Sequence, residues 1–578
     1  MAIFVLLREQ EGGFDPTPWL RRLAAEGLRC AADIREEGWR LCLVGSFHGA
    51  EVPLVRSAGG DLAAVAGWFA FDGLGGAAGL RRVLETFDGA QLDARRCRGH
   101  FTLVMRKAGR WYLARDGLDC GKIYHDGGER CFSNSFQALL AAVRHPEPDI
   151  QGCYEYAFNG ATFGEKTFIR QIRMAPAESL TCLDGPTVTH LPVTGVFPWT
   201  LSDCMPSACE EAALYHLERL RGLFRFYAGF FQERLRTAIS GGYDSRLILA
   251  LLLEAGVQPE LFVFGPEQGD PDVTVARQVA AAAGLPLEVI DKSRRPGIAF
   301  EGFREQVARN AVAFDGWKPG GLFDNGVDLA DRLARSQGRV LLNGSAGEIY
   351  RNFYYLPDRP MALREVVRSF YSRLDPGTVT GAFSSRRYGD AMTGAMGRAL
   401  GAPSGEEPID RGWTERSYPL FRGRFWSSRD LNLNLRFGPA LYPFLEAEVV
   451  RDTWRVPLAC KHLGRLEARM IQLAAPELAA CPSVYGHTLA QEPSWRYRLS
   501  TRLTLLRPIV LREYSYAIQQ QKRGRGAWPV FLTPDWLTQV LDPTFPIMGG
   551  LFRMERIRDP EVYNRVATME YLLQNGGA

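Results

Sequence analysis

The sequence of 578 residues has no uninterrupted run of about 18 apolar side chains, the length that a membrane-spanning helix needs, so we expect no such helix. Its formal net charge is only +4 at pH 7. A dedicated nucleic-acid-binding protein would normally have a dominant basic stripe, and we therefore predict no nucleic-acid partner. The N-terminus lacks the basic lead-in and the cleavage site of a secretory signal, which predicts a cytoplasmic protein.

The cysteine pattern excludes the common zinc sites. The 11 cysteines include no Cys-x-x-Cys pair and no His/Cys cluster at zinc spacing. The nearest pair, Cys204 and Cys209, has a spacing that fits no common metal site. We interpret the cysteines as buried or idle thiols in a reducing cytoplasm.

The pattern of apolar residues changes twice along the chain, which predicts an α/β protein of three domains. Residues 1–195 are β-rich, and a connection marked by proline and serine, Leu191–Pro206, follows them. In residues 205–490 short apolar strands first alternate with helices, which predicts a parallel sheet with helices on its faces. Residues 491–578 are predicted to be a helical C-terminal extension.

The segment Ser240-Gly241-Gly242-Tyr243-Asp244-Ser245 lies between the predicted strand Leu235–Ile239 and the predicted helix Ser245–Ala255. Its two glycines let the backbone turn tightly and present N–H groups, and the helix start adds unpaired N–H groups and a positive dipole end. The serine hydroxyls are further donors to phosphate oxygens. Asp244 would repel a phosphate, so it indicates a Mg²⁺ ion between them. The alternative is a plain tight turn. The segment is not a Walker loop, which needs Gly-Lys-Ser/Thr.

This Ser-Gly-Gly-x-Asp-Ser pattern resembles the pyrophosphate-binding loop of the ATP-pyrophosphatase superfamily. The resemblance implies ATP and Mg²⁺ as cofactors, and it implies that the next strand holds the adenine through its backbone; for Phe262–Phe264 alone, plain core is the competing interpretation. The nucleotide-binding residues that it implies are Ser240, Gly241, Gly242, Asp244, Ser245, Val263, Phe264 and Gly265.

A second segment, residues 343–349, follows the predicted strand Val340–Leu342 and is similar to the second signature of asparagine synthetases and β-lactam synthetases. The resemblance implies that Gly344 brings backbone near the α-phosphate. It also implies that Glu348 replaces the family's aspartate as a Mg²⁺ ligand beside Asp244, since glutamate is also a hard oxygen ligand. Ala346 stands where the family has a second glycine, which puts the backbone path in question.

The front of the chain resembles a different family. Residues 99–104, 113–117 and 132–135 are similar to the core strands of class II glutamine amidotransferases, which implies an Ntn-type αββα domain. Working members need a cysteine at position 2, whose α-amine serves as the base, whereas this sequence has Ala2. The family's Asn-Gly pair for glutamine has no counterpart near residues 67–71. We therefore predict a structural front domain that makes no ammonia.

The acyl-transfer step has weaker candidates. Asparagine synthetases typically have glutamate at the place of Ser345, and the lysine that the relatives keep has no counterpart in the segment Cys481–His487. His487 is a candidate general base, because histidine is the side-chain type most suited to that role near neutral pH, although an isolated histidine is more often structural. Tyr485 and Lys461 are the other catalytic candidates, and an exposed helix face explains Lys461 equally well.

An adenylating domain beside an inactive glutaminase is similar in logic to β-lactam synthetases and to the cyclases that close lasso peptides, in which the substrate brings its own amine. Tethering the amine removes much of the entropic barrier. We predict an AMP-forming amide ligase for a peptide or small molecule with a carboxylate and an amine, and by elimination a macrolactam-forming lasso-peptide cyclase. Such a cyclase implies a leader-peptide protease or a precursor-recognition protein as partner. The alternatives are an amidating enzyme that uses ammonia or a small-molecule amine, and a catalytically silent binding or scaffold homologue.

Overall fold

A computed structural model describes residues 3–9, 13–49, 52–193, 208–294, 297–402, 405, 407–522 and 528–576. The strands before residue 193 belong to antiparallel sheets. They are β1 (Ile3–Arg8), β2 (Cys30–Glu36), β3 (Trp39–Val44), β4 (Leu54–Arg56), β5 (Leu62–Gly67), β6 (Ala70–Phe71), β7 (Leu74–Gly75), β8 (Cys97–Arg98), β9 (Phe101–Lys107), β10 (Arg110–Arg115), β11 (Tyr124–Asp126), β12 (Cys131–Ser133), β13 (Ile172–Met174), β14 (Ser179–Asp184) and β15 (Thr187–Pro192).

Two six-stranded antiparallel sheets form a sandwich, in the orders β13-β11-β12-β1-β3-β2 and β15-β14-β10-β9-β5-β4. Alternate side chains such as Phe4 and Leu6 meet Val104 and Leu113 of the facing sheet in a dry core, as the two-residue period of a strand requires. Helices cover both outer faces, which gives an αββα arrangement. The helices are α1 (Thr17–Ala25), α2 (Gly76–Thr86), α3 (Phe136–Ala142) and α4 (Ile150–Asn159).

The chain from residue 208 onward, which we call the rear part, is built on a parallel sheet of five strands. Its strands are β16 (Leu235–Ala238), β17 (Glu260–Phe264), β18 (Leu287–Ile290), β19 (Val340–Leu342) and β20 (Ala440–Leu441). Their order is β18-β17-β16-β19-β20, and Thr237 of the central strand pairs with Leu261 on one side and Leu342 on the other. The carboxyl ends of β17, β16 and β19 therefore lie side by side, where ligands of such sheets bind.

Most of the remaining described chain is helical. The helices are α5 (Cys209–Phe231), α6 (Asp244–Glu254), α7 (Pro271–Ala282), α8 (Phe303–Ala313), α9 (Val327–Ser336), α10 (Leu363–Phe370), α11 (Ser385–Leu400), α12 (Arg411–Ser417), α13 (Ser428–Phe437), α14 (Ala447–Val450), α15 (Leu458–Lys461), α16 (Arg465–Ala474), α17 (Pro476–Ala480), α18 (Trp495–Leu506), α19 (Ile509–Lys522), α20 (Pro534–Leu537) and α21 (Pro560–Asn575). Within the described residues no helix has both the length and the hydrophobicity needed to cross a membrane.

The predicted α/β class, with an αββα front part, a parallel-sheet rear part and a helical C-terminal region, is confirmed. One strand, β20, was missed because two residues are too few for a periodic signal. The predicted connection starts too early, since Leu191 and Pro192 belong to β15; residues 194–206 of it lie outside the described residues. The three domain boundaries stay predictions.

The C-terminal region returns to the front part of the molecule. Helix α21 packs against α4, and Arg565 Nη1 donates a hydrogen bond of 3.1 Å to the carbonyl oxygen of Ala157. Helix α21 thus packs on the front part of the molecule rather than extending away from it.

A network of buried charges joins the front and rear parts. The Asp315 carboxylate accepts hydrogen bonds from Ser135 Oγ at 2.5 Å and from the backbone N–H of Phe136 at 2.9 Å, at the start of α3. Arg429 and Arg436 of α13 approach the same carboxylate at 3.5 and 3.3 Å. All three charged side chains are nearly inaccessible to solvent, and each of the three has a partner of opposite charge, as burial demands.

The interpretation of the cysteines as idle thiols is wrong for one pair. Cys209, at the start of α5, and Cys460, in α15, form a disulfide with their Cα atoms 5.2 Å apart. The two residues are 251 positions apart in sequence, so no local spacing indicates the pair; the fold brings them together. Eight other cysteines of the described residues are free thiols, and Cys204 lies outside those residues.

Candidate functional site

The loop between β16 and α6 forms one wall of the candidate site. Its two serines face each other, with Ser240 Oγ and Ser245 Oγ 3.0 Å apart, and the backbone N–H of Ser240 donates to Ser245 Oγ at 3.0 Å. The N–H of Gly241 donates to the Asp272 carboxylate at 2.9 Å, which ties the loop to the start of α7. Both predicted serines are therefore held in one small turn at the carboxyl end of the central strand.

Helix α6 begins without a capping side chain. The residue before it, Tyr243, makes no cap hydrogen bond, so the first-turn N–H groups of α6 have no side-chain partner there. Helix α7, in contrast, is capped by Asp270, which accepts from the N–H groups of Asp272 and Val273. The open start of α6, beside two serine hydroxyls, has the donors and the dipole direction that bind an anion.

The segment after β19 packs directly against this loop. A Cβ atom on Gly347 would lie 1.9 Å from Asp244 Oδ1, and one on Gly344 would lie 3.3 Å from Asp244 Cβ. Glycine is therefore required at position 347, a residue to which the sequence patterns had given no role. Ala346 has a φ of 76°, in the region that favours glycine, so the chain keeps the turn although its family-like glycine is replaced.

A guanidinium group lies between the two predicted metal ligands. Arg351 Nη2 donates to both oxygens of Asp244, at 2.8 and 2.7 Å, and lies 3.8 Å from Glu348 Oε1. Glu348 also accepts a hydrogen bond of 2.7 Å from the hydroxyl of Tyr418. Asp244 and Glu348 therefore both lie against the Arg351 guanidinium, which connects them.

A third carboxylate, Glu467 of α16, completes the cluster. Its side chain is fully buried and lies 3.4 Å from Arg351 Nε, yet neither of its oxygens accepts a hydrogen bond within the described residues. Burial first, and then the charge of Asp244, raise the pKa of Glu467 well above its ordinary value. Burial likewise raises the pKa of Asp244, against the opposing effect of Arg351. One guanidinium thus faces three acidic groups.

The segment that contains Tyr485 and His487 covers the loop from the other side. The guanidinium of Arg246, in α6, holds this segment by donating hydrogen bonds to its carbonyl oxygens, at 3.0 Å to Cys481 O and 2.7 Å to Pro482 O. The ring of Tyr485 packs on that of Tyr243 at 5.0 Å, and its hydroxyl accepts a bond of 3.4 Å from Arg351. Tyr485 is therefore part of the site.

His487 is oriented by its neighbours. Its Nδ1 lies 3.2 Å from the carbonyl oxygen of Tyr485, and because a carbonyl only accepts, we assign the proton to Nδ1. Nε2 then has the lone pair and lies 3.5 Å from the hydroxyl of Tyr243. His487 thus presents an acceptor atom toward the loop.

Lys461 has a different environment. Its Nζ forms a buried ion pair of 2.7 Å with Glu415, which also binds Arg411 at 2.6 Å. Burial lowers the pKa of Lys461. The ammonium group is not on an exposed helix face, and its partner is Glu415 rather than the acidic cluster around Arg351.

The predicted adenine strand ends at the edge of the same site. Val263 is buried in the core between the sheet and α7, so its side chain is not accessible to a ligand. Phe264 is partly exposed and Lys292 Nζ lies 4.4 Å from its ring centroid. Gly265 follows at the carboxyl end, next to Asp270 of the α7 cap.

The acidic cluster has the donor chemistry of a magnesium site. Asp244 and Glu348 are hard oxygen ligands whose side chains are 24% and 32% exposed, and the two oxygens of Glu467 lack hydrogen-bond donors. With three acids facing one guanidinium, a divalent cation would compensate the remaining negative charge. The residues fit such an ion, provided that Arg351 shares Asp244 with it.

The front-part segment 67–71, where the glutamine-binding pair was expected, packs against α5. The Trp68 ring packs edge-on against four aromatic side chains of α5, at centroid distances of 5.3–5.9 Å. A Cβ on Gly67 would lie 2.2 Å from the His100 carbonyl oxygen. Helix α5 therefore fills the space beside this segment. Ala2, on which the predicted loss of glutaminase chemistry depends, lies outside the described residues.

No protein-family model and no curated protein sequence matches the chain. Among solved structures, the chain is similar to glutamine phosphoribosylpyrophosphate amidotransferase from B. subtilis, complexed with ADP and GMP, at 11% sequence identity and a TM-score of 0.21. The similarity covers 50% of this chain and 65% of that one.

Proposed function

We propose that the protein is an ATP-dependent, AMP-forming amide synthetase that adenylates a carboxylate for attack by a substrate amine. The observation that supports this most is the uncapped start of α6 beside Ser240 and Ser245, at the carboxyl end of the central parallel strand. Serine hydroxyls and helix N–H groups in such a place suit the oxygens of a pyrophosphate. The backbone after β17 is in position to hold the adenine.

The acidic cluster then has a role in charge balance. Mg²⁺, when bound, supplies charge compensation for the leaving pyrophosphate. Arg351 holds Asp244 in place and offers its remaining N–H groups to the developing negative charge. His487 Nε2 is the candidate atom that takes the proton of the attacking amine, and Tyr485 positions it through the carbonyl at 3.2 Å from Nδ1.

Within this function we favour an internal amide, as in a peptide macrolactam. Ala2 provides no thiol for a glutaminase, and α5 fills the space beside residues 67–71 through the Trp68 contacts. Both features argue against ammonia from glutamine as the nitrogen source, and a substrate with its own amine is the simplest replacement.

Calorimetry with Mg·ATP tests the nucleotide site. The wild-type protein is expected to bind with saturable heat, and Ser240→Ala/Ser245→Ala is expected to weaken binding by at least about 10-fold, since two hydroxyl donors to charged oxygens are lost. Ser293→Ala, an exposed serine outside the site, is the matched control. Absence of binding by the wild-type protein would reject the proposal.

The competing function is a nucleotide-binding or scaffold homologue without turnover. The bond between Arg351 and Asp244 favours it, because the guanidinium already occupies the oxygens of a predicted metal ligand. Incubation with labelled ATP and a pool of candidate peptides separates the two: AMP and pyrophosphate are expected from a synthetase. Saturable Mg·ATP binding without any AMP would favour the homologue.

A further inference from the structure

Large apolar side chains are exposed in number on two consecutive helices outside the site, α18 and α19. Among the described residues, 17 large apolar side chains are exposed, and eight of them lie in α18 and α19. We call this surface the hairpin face. Its members are Trp495, Leu499, Leu503, Leu506, Val510, Leu511, Tyr514 and Ile518.

The pattern of α18 is the reverse of an ordinary surface helix. At about 100° per residue, its four apolar members of the hairpin face fall within an arc of about 80°. Leu506 is 69% exposed, whereas the opposite side of the helix buries the polar Thr501 at 8%. A surface helix normally buries its apolar stripe, so this stripe faces outward toward something other than the protein's own core.

Basic side chains border the stripe on both sides. On the helical projection Arg496 and Arg507 lie on one side of it, and Arg498 and Arg502 lie on the other. All four are exposed, and within the described residues none of them forms an ion pair with a carboxylate. From residue 495 to residue 512 the sequence contains no aspartate or glutamate. Glu513, which follows, is paired with Arg368 at 2.9 Å.

The inner side of the same helix reaches the candidate site. The Tyr497 ring lies 5.2 Å from that of His487 and 5.7 Å from that of Tyr485. A ligand on the hairpin face would therefore lie about one helix diameter, about 10 Å, from the proposed reaction centre.

We propose that the hairpin face binds an anionic lipid surface. An apolar stripe with aromatic and leucine side chains, flanked by arginines, is the arrangement that lies in the plane of a membrane interface. The arginines meet anionic headgroups, while the leucines and Trp495 enter the boundary between headgroups and acyl chains. A face that binds an ordinary protein partner usually has carboxylates or a mixture of charges. The charged side chains of this face along α18 are all basic.

Vesicle co-sedimentation tests the proposal with the full chain. The wild-type protein is expected to sediment with phosphatidylcholine vesicles that contain about one-third phosphatidylglycerol. Sedimentation is expected to fall at least about 10-fold with pure phosphatidylcholine vesicles, which lack the anionic headgroups. A similar fall is expected in about 1 M salt, because screening weakens the arginine contacts. Leu503→Ser/Leu506→Ser and, separately, Arg498→Glu/Arg502→Glu are each expected to lower partitioning at least about 10-fold.

Two controls separate this surface from general stickiness and from misfolding. Leu74→Ser/Ile150→Ser removes two exposed apolar side chains elsewhere on the protein, which are 45% and 49% exposed, and is expected to leave vesicle binding unchanged. All variants change exposed side chains, and their thermal unfolding is expected to match the wild type.

Three outcomes would overturn the proposal. The first is no sedimentation of the wild type with phosphatidylglycerol vesicles. The second is binding that neither hairpin pair of substitutions reduces. The third is a dimer, measured by light scattering, that Leu503→Ser/Leu506→Ser converts to a monomer while vesicles are not bound, which would make the hairpin face a contact between two copies of the chain.

Discussion

Two sets of buried charges in this protein have opposite properties. At the interface of the front and rear parts, Asp315 has two arginines and several hydrogen-bond donors. At the candidate site, Glu467 is equally buried, its oxygens lack donors, and its pKa is raised well above the ordinary value by burial. In the first set one carboxylate binds two guanidinium groups, which also donate to backbone carbonyls such as those of Trp317 and Val312. In the second set three acidic groups face one guanidinium.

The difference indicates what each set does. Buried charges that are bound to one another and to the backbone hold a specific arrangement. An excess of acidic groups destabilises the protein unless a cation or a ligand compensates it, which is common at functional sites. Substitutions at the two sets are therefore expected to change the free energy of unfolding in opposite directions.

Asp315→Ala is expected to have the largest effect. It leaves Arg429 and Arg436 buried without their carboxylate, which costs about 3–5 kcal/mol of the free energy of unfolding. Denaturant unfolding measures it, with the exposed Asp535→Ala as control, for which a change within about 0.5 kcal/mol is expected. A small loss at Asp315 would mean that the interface charges are not the structural set.

Asp244→Ala is expected to lower formation of AMP and pyrophosphate by at least about 100-fold, or about 2.7 kcal/mol of transition-state stabilisation, while the fold is retained. The proposed chemistry depends on this carboxylate, so turnover at the wild-type rate would contradict its role as a metal ligand. Circular dichroism of the same sample checks the fold.

Glu467→Gln is expected to raise the free energy of unfolding by about 1 kcal/mol, because one of three buried acidic groups that share a single guanidinium is removed. The pKa of Glu467 is raised in the folded state, so its wild-type contribution falls as pH rises above the ordinary carboxyl pKa toward the folded one. The stability difference between variant and wild type should therefore grow with pH over that window. A loss of stability at neutral pH would show that Glu467 is compensated.

Ala2→Cys is expected to have the smallest effect. It restores a nucleophile to the front part but no glutamine pocket, since α5 fills the space near Trp68. A glutaminase assay is expected to show no release of ammonia. Hydrolysis of glutamine by the variant would mean that the front part still binds this substrate.

The sequence predicted the parts of the site that are local in the chain. Strands β18 and β19 match their predicted bounds because short apolar runs end at glycines or turns. The loop serines, Asp244 and Glu348 could be proposed on local grounds too, since each lies in the segment that follows a strand, β16 or β19.

Arg351 and Glu467 were missed because their meeting is a property of the fold. Arg351 lies 107 positions from Asp244 in sequence, and Glu467 comes from α16, whose helical pattern resembles that of any buried helix. The one local signal was Gly347, since a glycine next to a predicted metal ligand indicates close approach of another group. Charge pairing across such separations needs three-dimensional contacts.

The disulfide between Cys209 and Cys460 turns the rear part into a covalent ring. The ring includes every strand of the parallel sheet, the loop at Ser240 and the segment at Glu348, and it excludes both the front sandwich and the hairpin face. One proteolytic cut within the ring would leave a single species on a non-reducing gel and two fragments after reduction. The protein can thus be nicked beside its candidate site and still remain one molecule.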